Sequence, residues 1–321
     1  MTRSIVVAAF VALGLLCGPA PAGAQAYPSK PIRIVVPFGP GSATDNISRM
    51  LAEKAGKSLG TTFVVDNKPG ANGLIAAREV VSAPKDGYTI IVSSNSAHAA
   101  NQYLYKDLGY DPVKDFTPIT GLTINPHVIV VRSELPIRDM KELIAYGKAN
   151  PGKLNMGNGN TGSLANASLI RAMGGFTGVD VAYKSPPAAV TDLLGGRIDL
   201  LSTDYFIVND HIKVGKLRAI GVTSRKRLPA LPDVPAIGET IPGYDLNGWV
   251  AAFAPAGTPP DVIAKLNKAF TEFVNSPEFQ KYTDQQGMLG FATTPEELGT
   301  FQREQVGKWA DVLQRAGVPR E

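Results

Sequence analysis

Strand-like and helix-like segments alternate along almost the whole chain, and this alternation constrains the fold more than any other feature. Short apolar strands are predicted at Ile32–Val36, Thr62–Asp66 and Tyr88–Ser93, with helical patterns near Asp45–Leu59, Gly73–Ser82 and His98–Tyr105. Such a βαβαβ series requires a mostly parallel sheet covered by helices, because parallel strands can be joined only through a crossover. The pattern resumes downstream, with helices near Met140–Ala149, Ser163–Gly174 and Ala188–Gly195 and strands at Leu154–Gly157, Val179–Tyr183, Ile198–Ser202 and Leu217–Thr223. Between the two series, the apolar stretch Phe116–Val131, broken by Pro118 and Pro126, reads as a crossing into a second lobe. The Pro-rich run Pro229–Pro242 and the segment Trp249–Pro255 read as the return. Two α/β lobes joined by two crossings describe a hinged clamshell, with strand-end loops facing a cleft.

After the return, Val262, Leu266, Phe270, Phe273 and Val274 fall near helical spacing, and Thr294-Pro295-Glu296-Glu297 has the pattern of a capping box. These C-terminal helices are expected to pack on the first lobe.

The first strand runs through Pro37-Phe38-Gly39-Pro40-Gly41 into a helix start at Ser42-Ala43-Thr44-Asp45. Gly39 and Gly41 permit close backbone approach, Ser42 and Asp45 have capping-box spacing, and the first N–H groups of a helix lack intrahelical acceptors. A carboxylate or phosphate is the natural occupant of such a turn, although caps and water occupy most of them. A second Gly-rich loop, Gly157-Asn158-Gly159-Asn160-Thr161-Gly162, precedes Ser163 and formally matches the dinucleotide fingerprint. A dinucleotide site requires an acid at the end of the next strand, but that strand ends in Tyr183-Lys184 and Asp180 lies at its beginning. What survives is a loop of N–H donors and neutral side chains.

Lys184-Ser185 and Thr203-Asp204-Tyr205 occupy two further strand ends, and Ser94 and His98 a third. Lys184 is a candidate cationic contact. Asp204 beside an anion site suits a ligand ammonium or hydroxyl, an orienting role, a protonated carboxyl or a purely structural one. His127, in the crossing stretch, reads as structural or exposed.

Residues 1 to 26 have the form of a secretory signal: Arg3, the apolar run Ile5–Leu16, and small-residue cleavage sites at Ala22-Gly23-Ala24 or Ala24-Gln25-Ala26. Cys17 is the only cysteine and follows Leu16, which disfavours a lipoprotein signal. The mature chain then has no thiol for disulfides, nucleophilic catalysis or metal binding. With 44% hydrophobic and 19% charged residues the composition is that of a globular protein, and a net charge of +4 without a basic block gives no reason to expect nucleic acid. His98, His127 and His211 form no ligand spacing, and no Gly-x-Ser-x-Gly elbow or Walker A loop is present. An enzyme is therefore not expected, nor a cofactor.

The chain resembles the Bug-type periplasmic solute receptors of tripartite tricarboxylate transport systems. The resemblance is carried by Tyr27-Pro28-x-x-Pro31-Ile32, Val36-Pro37-Phe38 through Asp45, Val65-Asp66-Asn67-Lys68-Pro69-Gly70-Ala71, Asp86-Gly87-Tyr88-Thr89 and Tyr110-Asp111-Pro112-x-x-Asp115-Phe116. Tyr183-Lys184, Asp192-Leu193-Leu194-Gly195-Gly196 and Pro255-Ala256-Gly257-Thr258-Pro259 complete it. It implies a class II binding-protein clamshell, with residues 27–127 and 248–321 as one lobe and 128–247 as the other. It further implies a monomeric periplasmic protein that captures a small di-, tri- or aromatic carboxylate and passes it to membrane subunits of a transporter. An exported hydrolase-like enzyme and a ligand-sensing module for a membrane signalling partner are the competing readings.

Carried onto this chain, the resemblance puts ligand contacts at Phe38, Gly41, Ser42, Ala43, Thr44 and Asp45 in one lobe and at Asn158, Gly159, Asn160, Thr161, Gly162, Ser163, Lys184, Ser185 and Asp204 in the other. Ser94 and His98 join them as strand-end candidates, and Phe38 and Tyr205 as stacking surfaces for an aromatic ligand. Three departures stand out: Ser42-Ala43 replaces a Gly-Gly pair, Ser185 a glycine, and no histidine follows Gly162-Ser163 as a Ser-His pair.

Overall fold

The computed structural model describes residues 27–183, 185–315 and 320. The expected signal, Cys17 and Lys184 lie outside the described residues.

The first lobe is built on a six-stranded sheet in the order β11-β4-β10-β3-β1-β2: β1 Ile32–Val36, β2 Phe63–Asn67, β3 Thr89–Ser94, β4 Phe116–Asn125, β10 Gly248–Pro255 and β11 Leu289–Gly290. The second lobe carries a five-stranded sheet, β7-β6-β8-β5-β9: β5 His127–Arg132, β6 Leu154–Asn158, β7 Gly178–Ala182, β8 Leu200–Asp204 and β9 Leu217–Val222. β1 pairs in parallel with β2 and β3, and β6 with β7 and β8. Both sheets are nevertheless mixed. The returning β10 runs antiparallel to β3 and β4, and the entering β5 runs antiparallel to β8 and β9. A strand that arrives from the other lobe has no crossover helix in its own sheet, so nothing holds it to the parallel direction.

The crossing is abrupt. β4 ends at Asn125 in the first sheet, and β5 begins at His127 in the second, opposite Asp204. Pro126 has no N–H to leave unpaired between the two ladders. His127, assigned to the first lobe from sequence, therefore belongs to the sheet of the second.

Helices flank both sheets: α1 Ala43–Leu59, α2 Leu74–Val81, α3 Asn101–Leu104 after a π turn at Ser96–Ala100, α4 Met140–Ala149, α5 Thr161–Gly174, α6 Pro186–Leu194, α7 Tyr205–Lys213, α8 Pro260–Val274, α9 Pro277–Gln286 and α10 Pro295–Arg315. α1 stops at Gly60, whose φ of 65° is left-handed, and it buries Ile47, Leu51 and Ala55 on its apolar stripe. α8 buries the expected Val262, Leu266, Phe270, Phe273 and Val274. The capping box of α10 forms in both directions, Glu297 N–H to Thr294 Oγ1 at 3.2 Å and Thr294 N–H to Glu297 Oε2 at 2.8 Å. α10 packs on β4 of the first lobe and also reaches α5 of the second. It is further tied to the returning segment by Lys308, 2.8 Å from Asp245 Oδ2. The last long helix thus braces the hinge rather than only one lobe. Among the described residues no helix is long and apolar enough to cross a membrane.

Candidate functional site

The strand-end loops of both lobes enclose a cavity of about 510 Å³. Its first-lobe wall includes Phe38, Ser42, Ala43, Thr44 and Ser94, and its second-lobe wall Asn160, Thr161, Gly162, His127 and Asp204. Leu246, Asn247 and Trp249 on the return segment form the hinge side, where Trp309 of α10 also reaches the cavity.

Each lobe contributes a helix N-terminus prepared in the same way. Ser42 caps α1 in extended backbone, its Oγ accepting from Asp45 N–H at 3.2 Å. Asn160 caps α5, its Oδ1 accepting from Ser163 N–H at 2.8 Å and from Ser163 Oγ at 3.1 Å. The cap takes the third N–H of the helix, which leaves the N–H groups of Ala43 and Thr44, and of Thr161 and Gly162, without intrahelical acceptors. All four residues line the cavity. Ser42→Ala should lower unfolding stability by about 1 kcal/mol in urea denaturation, and more than about 2 kcal/mol would mean that Ser42 does more than cap.

Asp45 has a supporting role. It is buried, and its carboxylate accepts from Gly41 N–H at 2.8 Å, Asn67 Nδ2 at 2.9 Å and Arg49 Nε at 3.0 Å. Burial alone would raise its pKa, but the Arg49, Gly41 and Asn67 hydrogen bonds outweigh it and hold the carboxyl below its ordinary range. The return bond of the expected capping box goes to Gly41 N–H rather than to the N–H of Ser42 itself. Asn67 also donates to Phe38 O at 2.9 Å, so one Asn and one Asp fix the whole loop from Phe38 to the helix start. Gly41 needs its glycine, at φ 81°, whereas Gly39 has open space where a Cβ would stand.

Several candidates stand away from the cavity. His98 is fully buried between Phe253, stacked at 4.0 Å between centroids, and Phe116, edge-on at 4.6 Å. Tyr205 is packed in the second lobe's core and against Gly287, and its neighbour Phe206 lines the cavity instead. Ser163 is buried behind its cap, and Asn158 donates to Asp180 Oδ1 at 2.9 Å. Gly159 acts through packing: a Cβ there would stand 2.5 Å from Pro186 Cα, so the glycine lets the two second-lobe loops touch. Ser185 opens α6 without a side-chain cap, and Pro186 and Pro187 after it reach the cavity.

His127 is the main residue that sequence reasoning left out. Its Nδ1 lies 2.9 Å from Ser202 Oγ, its Nε2 lies 3.9 Å from Asp204 Oδ1, and its ring sits against Gly162. Burial lowers its pKa against the opposing pull of Asp204, so the ring is neutral at pH 7. The imidazole absent after Gly162-Ser163 is thus presented to the same loop from the crossing strand. Among the described residues, Asp204 is the one formal charge on the cavity wall and no metal-holding cluster is present.

Two α/β lobes joined by two crossings, each offering a capped helix N-terminus to the cavity between them, define a solute-binding clamshell. The chain belongs to the family described as "Tripartite tricarboxylate transporter family receptor", whose model matches residues 47–318. BugT of Bordetella pertussis is 33% identical over 323 residues, covering 99% of this chain and 98% of that one. Among solved structures, an R. palustris protein with adipate superposes with a TM-score of 0.80 at 30% identity, over 92% of this chain and 100% of its own. MatC from Rhodopseudomonas palustris with bound malate gives 0.74 at 29% identity, over 89% of this chain and 100% of its own. The periplasmic binding protein BugD superposes with a TM-score of 0.76 at 35% identity, over 92% of this chain and 100% of its own, and the family to which this chain belongs is one of transporter receptors rather than enzymes.

Proposed function

We infer that this protein is a periplasmic receptor, exported by the segment before residue 27, that closes on a small organic carboxylate and delivers it as a monomer to the membrane subunits of a tripartite transporter. The observation that carries the reading is the pair of capped helix N-termini, one per lobe, sharing one cavity whose described wall has no lysine or arginine. Helix N-termini bind anions through unsatisfied N–H groups and the helix dipole, without a counter-charge. Because each donor set belongs to a different lobe, a carboxylate compound that engages both favours closure. The cavity volume falls in the range of small-molecule sites, and Phe38 and Phe206 supply apolar wall for the ligand's carbon skeleton. The dicarboxylates bound to the two R. palustris proteins are consistent with two anion-binding ends.

A thermal-shift series of the mature protein, freed of co-purified ligand by unfolding and refolding, tests the reading. A binding carboxylate at a hundred times its Kd adds about 2.7 kcal/mol of stability, which raises the melting temperature by several degrees. Aliphatic di- and tricarboxylates are expected to produce the shift and the corresponding diols and amides are not. A flat response to every carboxylate would sink the receptor reading.

A further inference from the structure

The carboxylate reading leaves unexplained why the charged group on the described cavity wall is itself an acid. Its surroundings define what the acid meets. Asn166 Nδ2 donates to the Gly162 carbonyl at 2.9 Å, and a carbonyl can only accept, so the orientation of this buried amide is settled. Tyr244 OH accordingly donates to Asn166 Oδ1. The same Asn166 Nδ2 stands 3.4 Å from His127 Nδ1, which Ser202 Oγ also approaches at 2.9 Å. With Nδ1 accepting, both Ser202 Oγ–H and Asn166 Nδ2–H find an acceptor, and this assignment puts the ring proton on Nε2.

Nε2 lies 3.9 Å from Asp204 Oδ1, which is too far for a hydrogen bond between them. In that assignment a donor and an acceptor face one gap, and the group that fills it best accepts from one and donates to the other. A hydroxyl does both. An ammonium satisfies Asp204 but offers nothing to Nε2–H, and a carboxylate oxygen satisfies Nε2–H but is repelled by Asp204. Gly162, one of the free N–H donors of α5, has its Cβ position 3.3 Å from His127 Nε2, which puts the gap beside the place where a carboxylate would be held.

We propose that His127 and Asp204 form a hydroxyl-reading pair, so that this receptor selects hydroxycarboxylates over the same acids lacking the hydroxyl. The inference rests on the carboxylate reading above and adds the ligand's second polar group. The register supports the pairing: His127 and Asp204 are directly opposed on antiparallel β5 and β8, which puts both side chains on one face of the sheet. A site built to bond a hydroxyl discriminates against its absence because the buried His127 and the partly exposed Asp204 are then left unpaired within the closed cleft.

Isothermal titration with matched pairs tests it: lactate and propionate, malate and succinate, citrate and tricarballylate. In at least one pair the hydroxy acid is expected to bind tenfold or more tightly than its partner. Asp204→Ala, checked for an unchanged fold by its melting curve and far-UV spectrum, should bring that ratio close to one, mainly by loss of hydroxy-acid affinity. If carboxylates bind but every pair is matched in affinity, or if Asp204→Ala keeps the preference, the hydroxyl pair is wrong and the receptor reading stands. Tighter binding of aspartate than of malate would assign Asp204 to an ammonium and overturn the proposal. Binding by none of the three hydroxy acids overturns this inference, whereas the receptor reading falls only with a flat response across the whole carboxylate series.

Discussion

Trp249→Ala is expected to cost about 3–5 kcal/mol of folding stability and to abolish the carboxylate binding proposed above. Trp249 is 1% exposed although it stands at the hinge, with its ring edge-on to Phe301 of α10 at 5.5 Å between centroids. Its backbone pairs with Ile124 on β4, so it belongs to the strand by which the chain returns to the first lobe. The residue also borders two spaces. It lines the interlobe cavity on one side and, on the other, a rear cavity of about 380 Å³ bounded by Phe291, Phe301, Arg225 and Lys308. Removing the indole enlarges the space on both sides and removes the apolar contact between α10 and the hinge. Large-to-small changes are most costly where the surroundings cannot collapse, and here the walls are two strands and a long helix anchored in different parts of the fold. Urea denaturation followed by calorimetry on the variant provides the measurement, with Val64→Ala, at a half-exposed strand position, as a control expected within about 0.5 kcal/mol of the parent. A loss below about 1 kcal/mol for Trp249→Ala would show that α10 does not depend on this contact.

The residues that were legible in the sequence and those that were not differ in the range of the interactions that place them. Ser42, Asn160 and the strand-end loops around them are set by local rules, a cap after a Gly-rich turn, and these rules act within a few residues. The lobes were legible for the same reason, since strand-helix alternation is a local pattern with a global consequence. His127 could not be assigned that way. Its position opposite Asp204 depends on the antiparallel entry of β5 into a sheet whose other members are distant in sequence, and neither Pro126 nor the apolar run announces that register. Trp309 reaches the cavity from the far C-terminal end of the chain through the packing of α10. The exchange of Tyr205 for Phe206 is a matter of helix phase: one residue turns a side chain by about 100°, and the start of α7 was not fixed closely enough to choose between them. His98 misled because strand-end loops carry function in general, whereas this one continues into a buried π turn.

That burial has a measurable consequence in acid. Between pH 7 and pH 5 the folded state is expected to lose about 2 kcal/mol through His98 alone, at up to about 1.4 kcal/mol per pH unit. Burial pushes the imidazole pKa from 6.5 down to about 3, so in the fold the ring stays neutral throughout this interval. The unfolded chain, with its ordinary imidazole, takes up the proton as pH falls below 6.5. The unfolded state therefore binds more protons across the whole window from about 6.5 to about 3, and stability present above that window is lost as pH falls through it. His127 acts with the same sign, its pKa also being lowered by burial. No such loss arises from Asp45, whose depressed carboxyl remains ionised in both states until the pH falls into the ordinary range for aspartate. The difference isolates the histidine. His98→Leu keeps an apolar group of similar size between Phe116 and Phe253, so its unfolding free energy should vary less between pH 7 and pH 5, by about 2 kcal/mol, than that of the parent. Equal pH profiles for the two proteins would mean that the imidazole is protonated inside the fold, which in turn requires an acceptor or water to reach a ring enclosed by two aromatic side chains.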